Sequence, residues 1–213
     1  MAAKKKEGKD DRAQVDQPGY WQKHYDTGEP PWDHGKPSPP IVELAKGGDL
    51  PKGRLCVLGC GWGNDAIWFA KNGWKVTAVD FAEGAEQGLR KRAAKAGARV
   101  RFVRSDLFLL PETHAAAFDL VLEHTCFCAI RPERRREYVD VVRTILKRDG
   151  TFFGVFYNHG AEGGPPFTVD RRRVRALFGP HFDIHRLDVA EGSFENRAGK
   201  ELLAHFTLKS PLA

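Results

Sequence analysis

Nowhere in its 213 residues does this sequence hold an apolar run of the roughly 20 residues that a bilayer crossing takes. The Lys-rich start, with Lys4, Lys5, Lys6 and Lys9, has no apolar segment behind it of the kind a secretory leader carries. A soluble, cytoplasmic protein with no membrane partner is therefore expected. Cysteine is scarce: Cys56, Cys60, Cys126 and Cys128 are the whole set. Neither C-x-x-x-C nor C-x-C has the C-x-x-C spacing of a structural zinc site, and no metal is expected. All four lie in or just after apolar strands, which suits reduced, buried thiols better than a disulfide framework. Acidic residues number 28 against 34 Lys and Arg, a formal net charge of +6. That excess raises a nucleic-acid reading, with arginine runs at 131–136 and 171–175 as its carriers. Both runs fall on amphipathic helices whose other face is apolar, so solvated helix faces explain them better. No nucleic-acid partner is expected.

The length suits one α/β domain. Residues 1–16 read as a disordered polar tail and 17–213 as a single domain whose first part, 17–40, is an aromatic and proline-rich lid. Within that lid, residues 20–25 form a short aromatic helix. The following fourteen residues, 27–40, contain five prolines and two glycines, which predicts an irregular loop carrying Trp32.

The most informative stretch is Arg54-Leu-Cys-Val-Leu-Gly-Cys-Gly-Trp-Gly-Asn-Asp65. A short, continuous apolar run predicts a strand covered on both faces, and Gly59, Gly61 and Gly63 then carry the chain into a helix over 66–70. Glycine there permits positive φ and lets a ligand approach the main chain without meeting a Cβ. A second apolar run, 74–80, ends in Asp80. A glycine turn after one strand and a carboxylate after the next is the pattern of a nucleoside site, the carboxylate accepting ribose hydroxyls. A nicotinamide fingerprint would need its third glycine one residue after Gly63, where Asn64 stands.

Further along, strands are predicted at 99–104, 118–122 and 151–157, with helices at 41–45, 83–95, 133–146 and 171–178. Two last strands, 182–189 and 202–208, have no helix between them and should pair antiparallel at the edge. This alternation predicts an α/β, Rossmann-like, seven-stranded, mostly parallel sheet with helices on both faces and a C-terminal antiparallel hairpin. Ligands of such sheets sit at the carboxyl ends of the strands, where residues 59–63, Asp80, Asp106 and 123–128 all fall.

Four blocks in order resemble the thiopurine S-methyltransferase family, in particular the plant halide and thiol methyltransferases and their bacterial relatives. They are Pro31-Trp-Asp-His-Gly-Lys-Pro37, Leu58-Gly-Cys-Gly-Trp-Gly-Asn-Asp65, Phe118-Asp-Leu-Val-Leu-Glu-His-Thr-Cys-Phe-Cys-Ala-Ile-Arg-Pro132 and Gly163-Gly-Pro-Pro-Phe167. The resemblance implies a class I methyltransferase that moves a methyl group from S-adenosylmethionine to a small soft nucleophile: a thiol, a thiopurine, a selenium or tellurium species, a halide or thiocyanate. It further implies that Trp21, Tyr25 and Trp32 cover the cofactor and that Gly59, Gly61 and Gly63 carry its methionine part. Asp80 and Phe81 would take the ribose, and Ser105, Asp106 and Leu107 the adenine. Glu123, His124 and Thr125 would lie under the sulfonium. Tyr25 stands where plant relatives have a second tryptophan, and Leu58-Gly59 where they have proline-glycine.

Methyl transfer from a sulfonium to an anion joins opposite charges into neutral products, and a dry aromatic pocket favours it. Tyr20, Trp21, Tyr25, Trp32, Tyr157 and Phe167 are candidates for such a wall, whereas Phe127, Phe152 and Phe156 read better as core. A thiol of pKa ~8.5 needs little help to ionise, so no dedicated base is required. If the acceptor were an alcohol or amine, His124, Tyr157 or His159 would have to serve as the base. A monomer acting on a small molecule is expected.

Overall fold

The computed structural model describes residues 11–210. Its strands are β1 (Arg54–Leu58), β2 (Lys75–Asp80), β3 (Arg101–Arg104), β4 (Phe118–His124), β5 (Leu146–Tyr157), β6 (Phe182–Val189) and β7 (Glu201–Leu208). They form one sheet in the order β3-β2-β1-β4-β5-β7-β6. The first five strands are parallel, and β7 runs antiparallel between β5 and β6. The helices are α1 (Pro18–Asp26), α2 (Pro39–Lys46), α3 (Asn64–Lys71), α4 (Glu83–Ala96), α5 (Leu110–His114), α6 (Arg135–Ile145) and α7 (Arg171–Phe178). Among the described residues no helix is long and apolar enough to cross a membrane.

Side chains alternate across each strand, so one apolar run feeds two cores. Leu55 and Val57 of β1 face α2, α3 and α4, and join Ile41, Phe69 and Leu89. Cys56 and Leu58 point the other way, into a phenylalanine-rich core with Tyr138, Val142 and Ile145 of α6 and Phe178 of α7. A third, smaller cluster gathers Tyr25, Ala82 and Ala85 with Trp21, Trp32, Trp62 and Phe81. It fastens the lid to the rim of the sheet.

Among the boundaries that differ from the sequence expectation, three have a clear physical cause. Asp11–Asp16, placed in the polar tail, form a 3-10 helix whose Val15 is buried, and the rest of that tail lies outside the described residues. One apolar residue is enough to dock this turn, because the carbonyl of Val15 also accepts the indole N–H of Trp21 at 2.7 Å. Pro39 and Pro40, counted with the irregular loop, instead open α2, where a missing N–H costs nothing. Helix α6 stops at Ile145, and β5 begins at Leu146 rather than residue 151. Leu146 pairs with Phe118, and a register shift between Phe118 and Leu120 absorbs the extra residues.

Candidate active site

At the carboxyl ends of β1, β2 and β4, beside the point where strand order reverses, lies a cavity of about 390 Å³. Its floor is Gly59, Val79, Asp80 and Thr125, and its roof is the lid. Trp21, Tyr25 and Trp32 pack edge to face there, with ring centroids 5.5 Å apart for Trp21 with Trp32 and for Tyr25 with Trp32. The lid is latched at its start, since Asp16 accepts from Nε of Arg131 at 3.0 Å and lies 3.8 Å from Arg134.

Asp80 ends β2 inside this cavity with only 8% of its surface exposed. Its two oxygens accept the backbone N–H of Gly61 and of Ala82, each at 3.0 Å. Burial pushes its carboxyl up to about 6, against the pull of those amides and of Tyr25. The glycines differ in what they do. A Cβ on Gly63 would sit 2.6 Å from Cδ1 of Leu89, so that position lets α4 pack close to the turn. A Cβ on Gly61 would meet nothing nearer than the Trp32 and Tyr25 side chains at 3.5 Å, and so would take up space under the lid.

Phe81, Ser105, Asp106 and Leu107 line the far side of the cavity, joined by Phe108. The Asp106 carboxylate caps the following turn by accepting the N–H of Phe108 at 3.0 Å. The opposite side is formed by Cys128, Ile130, Tyr157, Pro165, Pro166, Asn196 and Arg197. Arg197 is a charged wall residue that the sequence reading missed. It is 8% exposed, its guanidinium lies 3.9 Å over the Tyr157 ring, and Nη1 has no hydrogen-bond partner among the described residues. A lone arginine in the loop between β6 and β7 carries no motif, and only the folding of β7 against β5 brings it to Tyr157.

Four expected site residues lie elsewhere. Glu123, expected under the sulfonium, is fully buried and lines neither this cavity nor the cleft adjoining it. Its oxygens accept the N–H of Phe127 at 2.8 Å and the hydroxyl of Tyr138 at 2.5 Å, and burial pushes its carboxyl up to about 7. Period two explains this: with Val121 it points to the α6 side of the sheet. His124 does not line the main cavity; it lines an adjoining cleft of about 40 Å³ with Gly61, Gly63 and Asp65. His159 is turned onto its own loop, donating to the carbonyl of Pro166 at 3.1 Å, and is outside the cavity wall. Phe167, a candidate wall residue, is buried away from it. Phe127, Phe152 and Phe156 are core. Among the described residues no three His, Cys, Asp or Glu side chains are grouped to hold a metal ion.

A family model for thiopurine S-methyltransferase matches residues 16–209. Thiocyanate methyltransferase 1 of Brassica oleracea is 32% identical over 197 residues, covering 88% of this chain and 84% of the relative. A thiopurine S-methyltransferase of Xanthomonas euvesicatoria pv. vesicatoria is 28% identical, covering 66% of this chain and 72% of the relative. Among solved structures, the Burkholderia thailandensis 1,6-didemethyltoxoflavin-N1-methyltransferase with bound S-adenosylhomocysteine superposes with a TM-score of 0.72 at 22% identity. That match covers 98% of this chain and 94% of the other.

Proposed function

Because the chain belongs to the thiopurine S-methyltransferase family, whose members are S-adenosylmethionine-dependent enzymes, we propose that its acceptor is a small, soft anion: a thiolate, hydrosulfide, thiocyanate or halide. The observation that carries this reading is Nη1 of Arg197, an unpartnered cationic donor in the cavity wall. A buried guanidinium with a free N–H is costly unless an acceptor meets it. An anion entering beside Tyr157 would supply one, and would recover there part of the hydration it gives up.

The residues present fit the cofactor. Asp80 offers carboxylate oxygens at the end of β2, Gly61 leaves room under Trp32 and Tyr25, and aromatic side chains roof the cavity. When bound, S-adenosylmethionine supplies a methyl group activated by a sulfonium charge, to which ring faces are attracted. The chain then has to hold an anion in line and exclude water, and it needs to move no proton.

That economy disfavours oxygen or nitrogen acceptors, which need a base. Glu123 is sealed in the core, His124 is bound to Asp65, and His159 is bound to Pro166. Tyr157 is the remaining candidate. Methyl transfer should be measured over thiocyanate, hydrosulfide, iodide, aryl thiols, thiopurines, a phenol and an amine. Turnover of the anions and thiols is expected, and turnover confined to the phenol or amine would refute the reading.

A further inference from the structure

Trp32 roofs the cavity from the stretch between α1 and α2, which has no helix or strand of its own to hold it. The turn that carries Trp32 is closed by the N–H of Asp33, which donates to the carbonyl of Pro30 at 2.9 Å. That bond shapes the turn without tying it to the rest of the domain. The side chain of Asp33 makes the tie. One of its oxygens accepts from Nη2 of Arg92 at 2.9 Å, and the other accepts from Nη1 at 3.1 Å and from Nδ2 of Asn64 at 2.6 Å. Nη1 also donates to Oδ1 of Asn64 at 2.7 Å, which closes a ring of three side chains drawn from the lid, the start of α3 and α4. The Arg92 guanidinium lies 4.5 Å over the ring of Trp62, inside the glycine turn. Asn64, which breaks the nicotinamide fingerprint, is engaged here by its side chain. The Asp33 side chain is 12% exposed and that of Arg92 31%, so water screens this pair less than an ordinary surface ion pair.

We propose that Arg92 is a positioning residue for the methyl-transfer site: with Asn64 it clamps Asp33, and through Asp33 it fixes the Trp32 ring over Gly61. This rests on the cofactor reading above, which puts the ligand under that ring. Arg92 lines neither the main cavity nor the adjoining cleft, so its effect on a ligand has to pass through the residues it holds. A guanidinium suits the task because its planar fork meets both carboxylate oxygens at once and so fixes direction as well as distance. A roof held in place before the ligand arrives spares binding the loss of loop freedom that would otherwise oppose it. Without Arg92 the Asp33 carboxylate keeps only Asn64 as a side-chain partner, and the turn that carries Trp32 loses its tie to α4.

The test is a double-mutant cycle on the full chain, read by calorimetry with S-adenosylhomocysteine. Trp32→Ala should weaken binding about tenfold, through the lost aromatic contact. Arg92→Met should weaken it about fivefold, and Arg92→Lys only about twofold, because lysine keeps the charge and loses the fork. In the Trp32→Ala background, Arg92→Met should change the affinity by less than about twofold, since the ring it positions is gone. A merely structural role would instead give the same loss in both backgrounds. Asp33→Asn, which keeps the side-chain shape and one acceptor oxygen, runs the same cycle if Arg92→Met does not fold. Equal losses in the two backgrounds, no loss from Arg92→Met, or a Trp32→Ala protein that binds like the wild type overturns the assignment and leaves the cofactor reading standing. A wild type that does not bind S-adenosylhomocysteine overturns both.

Discussion

Replacing Glu123 by glutamine isolates one buried charge. In the folded chain its carboxyl is pushed from 4.5 to about 7 by burial, against the hydrogen bonds of Tyr138 and the Phe127 amide. A folded pKa above the unfolded one means that the native state binds the proton more tightly. Its contribution is therefore complete below pH 4.5 and is lost as pH climbs toward 7. At about 1.4 kcal/mol per pH unit the whole effect is about 3 kcal/mol, of which about 2 to 3 falls between pH 5 and 8. Asp80, pushed to about 6, adds a loss of the same sign ending at a lower pH, and the substitution leaves it in place. Glutamine cannot ionise, but it satisfies only one of the two donors and so costs about 1 to 2 kcal/mol at every pH. Urea unfolding of both proteins at pH 5 and pH 8 should show the variant weaker at pH 5 and equal to or stronger than the wild type at pH 8. A stability difference independent of pH would show that Glu123 titrates normally in the native state, and the reasoning would fail.

Arg197→Met should raise KM for thiocyanate or hydrosulfide about tenfold or more while changing S-adenosylhomocysteine affinity little, as isothermal titration beside steady-state kinetics would show. Asp80→Ala should weaken S-adenosylhomocysteine by more than about 1 kcal/mol, through lost hydrogen bonds to ribose and a loosened Gly61 turn; unchanged affinity would place the ribose elsewhere. Gly63→Ala should lower stability by about 2 kcal/mol or more by chemical denaturation, because φ is +79° there and the added methyl would overlap Leu89.

Strands and helices were legible in the sequence because each depends on neighbours along the chain. The apolar run at 55–58, the glycine turn and the amphipathic pattern of α6 have their own periodicity, and α7 matched residues 171–178 to the residue. Boundaries failed where a partner decided them: β5 starts at Leu146 because Phe118 is there to pair with it.

The cavity residues divide the same way. Asp80 and the glycines could be found from strand ends, since topology alone brings those ends together. Side-chain direction could not. Glu123 and His124 are adjacent in the chain, yet the pleat sends one into the phenylalanine core and the other to Asp65, 59 positions away. Arg197 follows from neither pattern nor strand end. The antiparallel return of β7 decides it, by bringing the short turn that precedes that strand, and with it Arg197, over the ring of Tyr157. Local propensity and spacing thus determined the sheet and the turn at its edge. Long-range pairing, which no single segment encodes, decided which charges face the cavity.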